Sequence, residues 1–175
     1  MKKIGIFFGP IGSSAEKVAK MIQQMFGSDN ADIIAIREAK AQDMQKYDNI
    51  IMGMPTLGKD VWDSEKHVNG WDDFRPEFAK IDYTGKKIAL FGLGDQISYP
   101  NNFVDSMGNI ANRIKGHGAQ IVGHVSTEGY EFNESNALIE NDTKFVGLPI
   151  NETHEPELTE DRLLRWIDQL KKEFN

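Results

Sequence analysis

The sequence predicts an α/β fold in which helices cover both faces of a parallel sheet. Short apolar runs alternate with stretches of helical period along the 175 residues. The apolar runs tend to end in glycine or proline, which is typical of buried strands. This alternation favours a parallel sheet, and we expect one domain over residues 1–175.

The predicted elements follow one another in a regular order. Apolar runs predict strands at residues 3–8, 32–36, 48–54, 87–91 and 120–122. Apolar residues at three- and four-residue steps predict helices over residues 15–26 and 103–114. Thr159 is the expected N-cap of a last helix, which has acids in its first turn and lysines in its last turn, as the helix dipole favours.

Residues 124–145 break this alternation. They show no helical period, and they hold five acids with no base before Lys144. We interpret them as a surface excursion inside or beside the fifth strand, from which the chain returns at residues 145–148.

Composition excludes several classes of function. A formal net charge of −7 argues against nucleic acid or an anionic membrane as the main partner. The chain has no cysteine, which excludes thiolate nucleophiles, cysteine-bound zinc and iron–sulfur clusters. No apolar run is long enough for a membrane span or a signal peptide, so we expect a soluble cytoplasmic protein.

The acids are unevenly distributed, because residues 101–175 carry a formal charge of −6. This asymmetry fits either a solvated face or a docking surface for a basic partner.

Three loops are the candidates for a binding site. In an open parallel sheet, ligands bind beyond the carboxyl ends of the strands. Those ends carry loops at residues 9–15, 54–60 and 93–102, which are rich in glycine, proline, serine, threonine and asparagine. The first loop joins a strand to a helix, so its amides and the helix dipole favour an anion.

Single residues in these loops have two interpretations each. Ser13 and Glu16 match a capping box, which is compatible with anion binding by the remaining amides. Tyr99 either offers its ring to a planar ligand or packs as an ordinary surface residue. The chain lacks a phosphate-binding Gly-Lys-Ser/Thr motif, a metal-ligand spacing of histidines and a nucleophile–base pair.

Several stretches resemble the long-chain flavodoxins, and the resemblance covers nearly the whole chain. The motifs that carry it lie at residues 3–9, 55–58, 89–103, 126–132 and 144–148. The resemblance implies a flavodoxin-like three-layer sandwich: a five-stranded parallel sheet in the order 2-1-3-4-5, with an insertion at about 124–145 in the fifth strand. Leu57 and the extended loop up to Trp71 are most similar to the flavodoxins that serve nitrogenase.

The resemblance also implies FMN as the cofactor and assigns roles to single residues. Tyr99 would stack on the outer face of the flavin ring, and Asp95 would lie near its polar edge. Thr56, Leu57 and Gly58 would cover the inner face, with the Gly58 carbonyl accepting a hydrogen bond from the reduced ring. The implied contacts are Gly9, Pro10, Ile11, Gly12, Ser13, Ser14, Ala15, Pro55, Thr56, Leu57, Gly58, Leu93, Gly94, Asp95, Tyr99, Asn102 and Phe103.

The phosphate loop departs from the family pattern Thr-x-Thr-Gly-x-Thr. Residues 10–15 read Pro-Ile-Gly-Ser-Ser-Ala, so the three threonine hydroxyls are missing and Pro10 has no N–H to donate. Each lost charge-assisted hydrogen bond costs on the order of 1.5–3 kcal/mol if nothing replaces it. Ser13 and Ser14 could replace some donors, and Trp62 could replace an aromatic residue at the inner face.

The resemblance implies a monomeric, low-potential one-electron carrier rather than an enzyme. It would exchange electrons with a reductase-type donor and an acceptor, which could be linked to nitrogenase, at an acidic flavin edge. Two alternatives stay open. The first is a flavodoxin-like binding or regulatory module with weakened or lost FMN binding, and the second is a flavin-dependent reductase with its own substrate.

Overall fold

The computed structural model describes residues 2–56 and 70–175. Its strands are β1 (Ile4–Phe8), β2 (Ala31–Ala35), β3 (Asn49–Met54), β4 (Lys87–Leu93), β5 (Gln120–Val122), β6 (Val125–Ser126), β7 (Leu138–Ile139), β8 (Lys144–Phe145) and β9 (Leu148–Ile150). The main parallel sheet has the order β2-β1-β3-β4-β5, and β9 also pairs with β4. The strand order expected from the resemblance is therefore confirmed.

The central strands are buried on both faces. All residues of β1 and β3 are buried, which explains why these strands appear in the sequence as continuous apolar runs rather than alternating ones. Phe8 lies beside Gly53, and Met54 lies beside Gly92. Because of this register, β1, β3 and β4 end at the same edge of the sheet.

The fifth strand position is shared by two separate segments. β5 pairs with the first three residues of β4, and β9 pairs with Phe91–Leu93 at its other end. Between them, β6, β8 and β7 form a small antiparallel sheet. The interrupted fifth strand is thus confirmed, but the chain rejoins the main sheet at Leu148, three residues beyond the expected start of the return, because Lys144 and Phe145 pair within the small sheet instead.

The helices cover both faces of the sheet. They are α1 (Ser14–Phe26), α2 (Ala41–Gln45), α3 (Trp71–Phe78), α4 (Asp105–Ile114) and α5 (Thr159–Glu173). α1 and α5 share one apolar cluster with one face of the sheet, and α2, α3 and α4 share the cluster on the other face. Among the described residues, no helix is both long and apolar enough to span a membrane.

Three details of the helices differ from the prediction. The last helix already includes Thr159, whose hydroxyl donates to Glu152, so Leu158 and not Thr159 stands at the N-cap position. The fourth helix begins at Asp105 rather than Phe103, because Val104 has a left-handed φ of 50° that an α-helix does not accommodate. The sequence pattern also did not predict α2 and α3. α2 has five residues, too few to display a helical period, and α3 contains Pro76.

Candidate functional site

Four loops begin at the carboxyl edge of the sheet. The loops after β1, β3 and β4 are the three that the sequence predicted, and they emerge side by side because the strands are parallel and in register. The chain runs from β1 to β2 in one direction along the sheet and from β2 to β3 in the other, so the strand order reverses at β1 and β3. Open α/β sheets bind ligands at such a position.

The backbone amides of the first loop differ in their hydrogen-bond partners and exposure. The Gly9 amide donates to the carbonyl of Gly53 over 3.3 Å, so that amide belongs to the sheet rather than to a ligand site. Ile11 is 45% exposed, and Ser14 is exposed as well. Gly12 has a φ of 80°, a left-handed conformation that glycine adopts without a steric penalty. The amides of Ser14 and Ala15 open α1 and have no carbonyl partner within the helix.

The predicted capping box of Ser13 and Glu16 is wrong. Ser13 is the N-cap residue by position, but its hydroxyl donates to the Pro10 carbonyl over 2.6 Å instead of accepting an amide of α1. The Glu16 carboxylate reaches one residue further back and accepts the amide of Gly12 over 2.6 Å. The positive φ of Gly12 turns this amide toward α1, which the local sequence pattern does not reveal.

The third loop is organised around the carboxylate of Asp95. Its Oδ1 atom accepts the amides of Ile97 and Ser98 at 3.1 and 3.0 Å, and its Oδ2 atom lies 3.4 Å from Nε2 of His154. Burial by itself raises the pKa of Asp95, but hydrogen bonds from the Ser98 amide and hydroxyl, the nearby His154 and the Ile97 amide outweigh it. The pKa of this carboxyl therefore lies below its ordinary value, and Asp95 is a fixed negative charge at neutral pH.

Tyr99 follows in the same loop with its side chain half-buried. Its amide donates to the Asp95 carbonyl over 2.8 Å, and its own carbonyl accepts the amide of Asn102 over 3.3 Å. Hydrogen bonds on both sides hold the backbone, so the position of the Tyr99 ring depends mainly on its side-chain torsions. Asn102 is exposed and its side-chain amide contacts Asp105 over 3.1 Å.

The insertion within the fifth strand forms hydrogen bonds to the backbone of the third loop. The amides of Asn133 and Glu134 both donate to the Pro100 carbonyl, at 2.8 and 3.0 Å. The Glu134 carbonyl in turn accepts the amide of Phe103 over 3.2 Å, and Ser135 donates its hydroxyl to the Phe103 carbonyl. The predicted surface excursion therefore has a definite role, because it fixes the loop that carries Tyr99.

Sequence reasoning missed a fourth loop, residues 151–155. Asn151 is fully buried, its side-chain amide donates to Gln96 over 2.8 Å, and its Oδ1 atom accepts the amides of Thr153 and His154. Glu152 forms an ion pair with Lys17 of α1. The sequence signal for this loop was the apolar triplet of β9 followed by asparagine. That signal indicates a loop at the site only when β9 is known to pair with β4, which the sequence does not show.

The second loop is described only at its start. Pro55 and Thr56 are half-buried, and the Pro55 carbonyl accepts the hydroxyl of Ser106 over 2.9 Å. Leu57, Gly58 and Trp62 lie outside the described residues, so their expected roles stay predictions.

Three predicted contact residues direct their side chains away from the loops. Ala15, Leu93 and Phe103 are at most 3% exposed, and all three belong to the apolar clusters. Phe103 packs against the rings of Phe145 and Tyr130 beneath the third loop. Gly94 makes this packing possible, because a Cβ atom there would lie 2.7 Å from the Phe103 ring. Only the backbones of Ala15, Leu93 and Phe103 can face a ligand.

Comparison with known proteins identifies close relatives. The family model "Flavodoxin" matches residues 6–166. The chain is 42% identical over 171 residues to Flavodoxin 1 of Escherichia coli, covering 98% of this chain and 94% of the relative. It is 40% identical over 175 residues to a flavodoxin of Synechococcus elongatus, covering 99% of both chains. A crystal structure of Fusobacterium nucleatum flavodoxin bound to flavin mononucleotide superposes with a TM-score of 0.84 at 29% identity, covering 100% of both chains.

Proposed function

This chain belongs to the flavodoxin family, and we propose that it binds FMN at the carboxyl edge of its sheet and carries single electrons between other proteins. The observation that carries the proposal is that the loops after β1, β3 and β4 begin side by side where the strand order reverses. Flavodoxins are themselves an example of this rule for open α/β sheets. As a member of this family, the protein is an electron carrier and not an enzyme with its own substrate.

The residues at this edge fit a phosphorylated flavin. The first loop already binds an anionic oxygen, because the Gly12 amide donates to the Glu16 carboxylate. A phosphate presents oxygens of the same kind, and the start of α1 adds the positive end of the helix dipole. The missing threonine hydroxyls therefore do not remove the site. The Ser13 hydroxyl does not replace them in this structure, because it donates to the Pro10 carbonyl. Tyr99 supplies a half-buried ring for the planar part.

FMN supplies the one-electron chemistry when it is bound, and the chain positions the cofactor and adjusts the free energy of its reduction. The ring of Tyr99 would hold one face of the cofactor and exclude water from it. As the resemblance implies, Thr56, Leu57 and Gly58 would hold the other face, and the Gly58 carbonyl would accept a hydrogen bond from the reduced ring. The Asp95 carboxylate is ionised, so it disfavours additional negative charge nearby. The negative charge of Asp95 and the exclusion of water from the ring would together favour a low potential for the second reduction step.

The acidic edge is the surface that we assign to the redox partner proteins. Glu134 is exposed on the segment that hydrogen-bonds to the Tyr99 loop, and the C-terminal 75 residues carry most of the negative charge. Complementary charge on a basic donor or acceptor would increase the rate of encounter. A reductase-type donor and an acceptor linked to nitrogenase fit this proposal, as does a cytoplasmic monomer that exposes the edge.

An absorption spectrum with a flavin titration tests the proposal. The purified full-length chain is expected to show flavin absorption and to release FMN on denaturation. After removal of the flavin, it should take up added FMN at micromolar concentration or below. A colourless chain that fails to bind added FMN would refute the proposal, and steady oxidation of NAD(P)H without a partner protein would favour a flavin-dependent reductase instead.

The alternative of a module without flavin predicts equal affinity for FMN and riboflavin, since its phosphate site would be lost. Neither the family match nor the flavin-bound neighbour supports that alternative.

A further inference from the structure

The first loop binds an anionic group of the protein itself, the carboxylate of Glu16. Oε2 of Glu16 lies 2.6 Å from the amide nitrogen of Gly12, and the side chain of Glu16 is only 18% exposed. The hydrogen bond from the Gly12 amide is the main reason that the pKa of Glu16 lies below its ordinary value, and Lys20 contributes further. Glu16 is therefore ionised at neutral pH while it contacts the loop.

The second oxygen of the same carboxylate has a separate partner. Oε1 of Glu16 lies 2.7 Å from Nζ of Lys20, one helical turn further along α1. Because this ion pair does not involve the loop, the carboxylate can leave the Gly12 amide and keep Lys20 as its partner. Lys17 is the other base nearby, and it pairs with Glu152.

We infer that Glu16 occupies the phosphate position of the first loop, so that a phosphate ester must displace the carboxylate from the Gly12 amide before it can bind. This inference rests on the proposed function, because it assumes that the first loop holds the phosphate of FMN. Pro10 has no amide to donate and the Gly9 amide is bound to Gly53, so the Gly12 amide matters more here than in a loop with all its donors. Glu16 thus makes binding of the phosphorylated flavin weaker than the loop alone would allow.

The physical reason is competition between two anions. A carboxylate and a phosphate accept the same charge-assisted hydrogen bond, and the two repel each other when both are close to Gly12. A neutral glutamine at position 16 would still accept the Gly12 amide and keep the loop in shape. It would accept more weakly, however, and it would not repel the phosphate.

The chain offers a matched control on the other face of the sheet. The Glu77 carboxylate accepts the amide of Ala41 over 2.9 Å and pairs with Lys80 over 2.6 Å. Glu77 thus has the same two kinds of partner as Glu16, but it packs with the α2 and α3 side of the molecule. Glu77→Gln removes an equivalent carboxylate without touching the first loop.

The test compares the wild-type chain, Glu16→Gln and Glu77→Gln as full-length proteins from which flavin has been removed. Each is titrated at neutral pH with FMN and with riboflavin, and flavin fluorescence reports the dissociation constants. We expect Glu16→Gln to bind FMN about five- to tenfold more tightly than the wild type, with riboflavin affinity unchanged within about twofold. Glu77→Gln should match the wild type for both flavins.

Inorganic phosphate provides a second readout that does not need flavin. It should perturb the backbone amide resonance of Gly12 at a lower concentration in Glu16→Gln than in the wild type. Should Glu16→Gln fold poorly, Glu16→Ala replaces it and is expected to show the same preference for FMN over riboflavin.

The outcomes separate the two proposals. A wild-type chain that binds no FMN refutes the proposed function. A wild-type chain that binds FMN, together with a Glu16→Gln ratio of FMN to riboflavin affinity equal to or lower than the wild-type ratio, overturns the role of Glu16 and leaves the proposed function intact. An equal gain for both flavins also overturns it, because Glu16 would then act on the shape of the loop rather than on the phosphate.

Discussion

Nε2 of His154 lies 3.4 Å from Oδ2 of Asp95, which brings the loop after β9 into contact with the loop after β4. The other carboxylate oxygen accepts two amides of its own loop, so Asp95 links the two loops while it keeps its negative charge. Under the proposed function this charge lies close to the polar edge of the flavin.

Asp95→Asn tests that placement. Asparagine keeps an oxygen for the amides of Ile97 and Ser98 but removes the charge. We expect the more negative of the two flavin midpoint potentials to rise by roughly 30–60 mV, because reduction no longer adds charge beside a carboxylate. Asp142→Asn, at an exposed position of the insertion, is the control and should leave both potentials unchanged. Equal potentials in Asp95→Asn and the wild type would place Asp95 away from the ring.

Tyr99→Ala tests the stacking ring. Stacking of a planar base on an aromatic side chain is worth about 1–3 kcal/mol, so FMN affinity should fall by roughly 5- to 150-fold. The more negative midpoint potential should rise as well, because water reaches the ring. Tyr99→Phe keeps the aromatic face and should stay near the wild type in both measurements. A Tyr99→Ala protein with unaltered affinity and potentials would remove Tyr99 from the site.

Stability at alkaline pH should depend on three tyrosines, of which Tyr83 is buried and Tyr47 and Tyr130 are half-buried. The pKa of Tyr47, of Tyr83 and of Tyr130 is raised from 10.0 to about 12, with burial as the main cause in each case. Because the pKa of each tyrosine is raised in the folded state, folding favours the neutral phenol. This contribution to the free energy of unfolding is fully present below pH 10, where the tyrosines of the unfolded chain are still protonated. It is lost as the pH rises from 10 through 12, because the unfolded chain ionises first.

Urea unfolding at pH 8, 10 and 11 measures this loss, and absorbance at 295 nm reports tyrosine ionisation in the folded and unfolded chains. We expect the free energy of unfolding to decrease between pH 10 and 11, and Tyr83→Phe to decrease less steeply than the wild type. A free energy that stays constant up to pH 11 would contradict the expectation.

Trp166 links α5 by a hydrogen bond to the residue after β5, where the fifth strand is interrupted. Its indole N–H donates to the Gly123 carbonyl over 2.8 Å, and the side chain is 1% exposed. Trp166→Phe leaves that carbonyl without its donor, and we expect a loss of about 1–3 kcal/mol in the free energy of unfolding. Leu164→Ala, on the exposed side of the same helix, should cost much less. Chemical denaturation of both variants at neutral pH decides between them.

Much of this architecture follows from short-range patterns. The apolar runs of β1, β3 and β4 and the helical period of α1 depend on residues close together in the chain, so the amino-acid order alone is enough to predict them. The three loops at the sheet edge follow from the same patterns, since parallel strands end at a common edge. The resemblance then supplied the expected cofactor and the roles of Tyr99 and Asp95.

Other features depend on which distant segments meet. The reach of Glu16 to Gly12 rather than Ser13 depends on one left-handed backbone angle, and the contact of His154 with Asp95 depends on the pairing of β9 with β4. The support of the Tyr99 loop by the insertion likewise joins residues about 30 positions apart. The sequence by itself therefore determined the layers, the edge and the loops of this protein. Only the tertiary structure decided which side chains complete the site, because such contacts depend on register and packing between segments that are far apart in the chain.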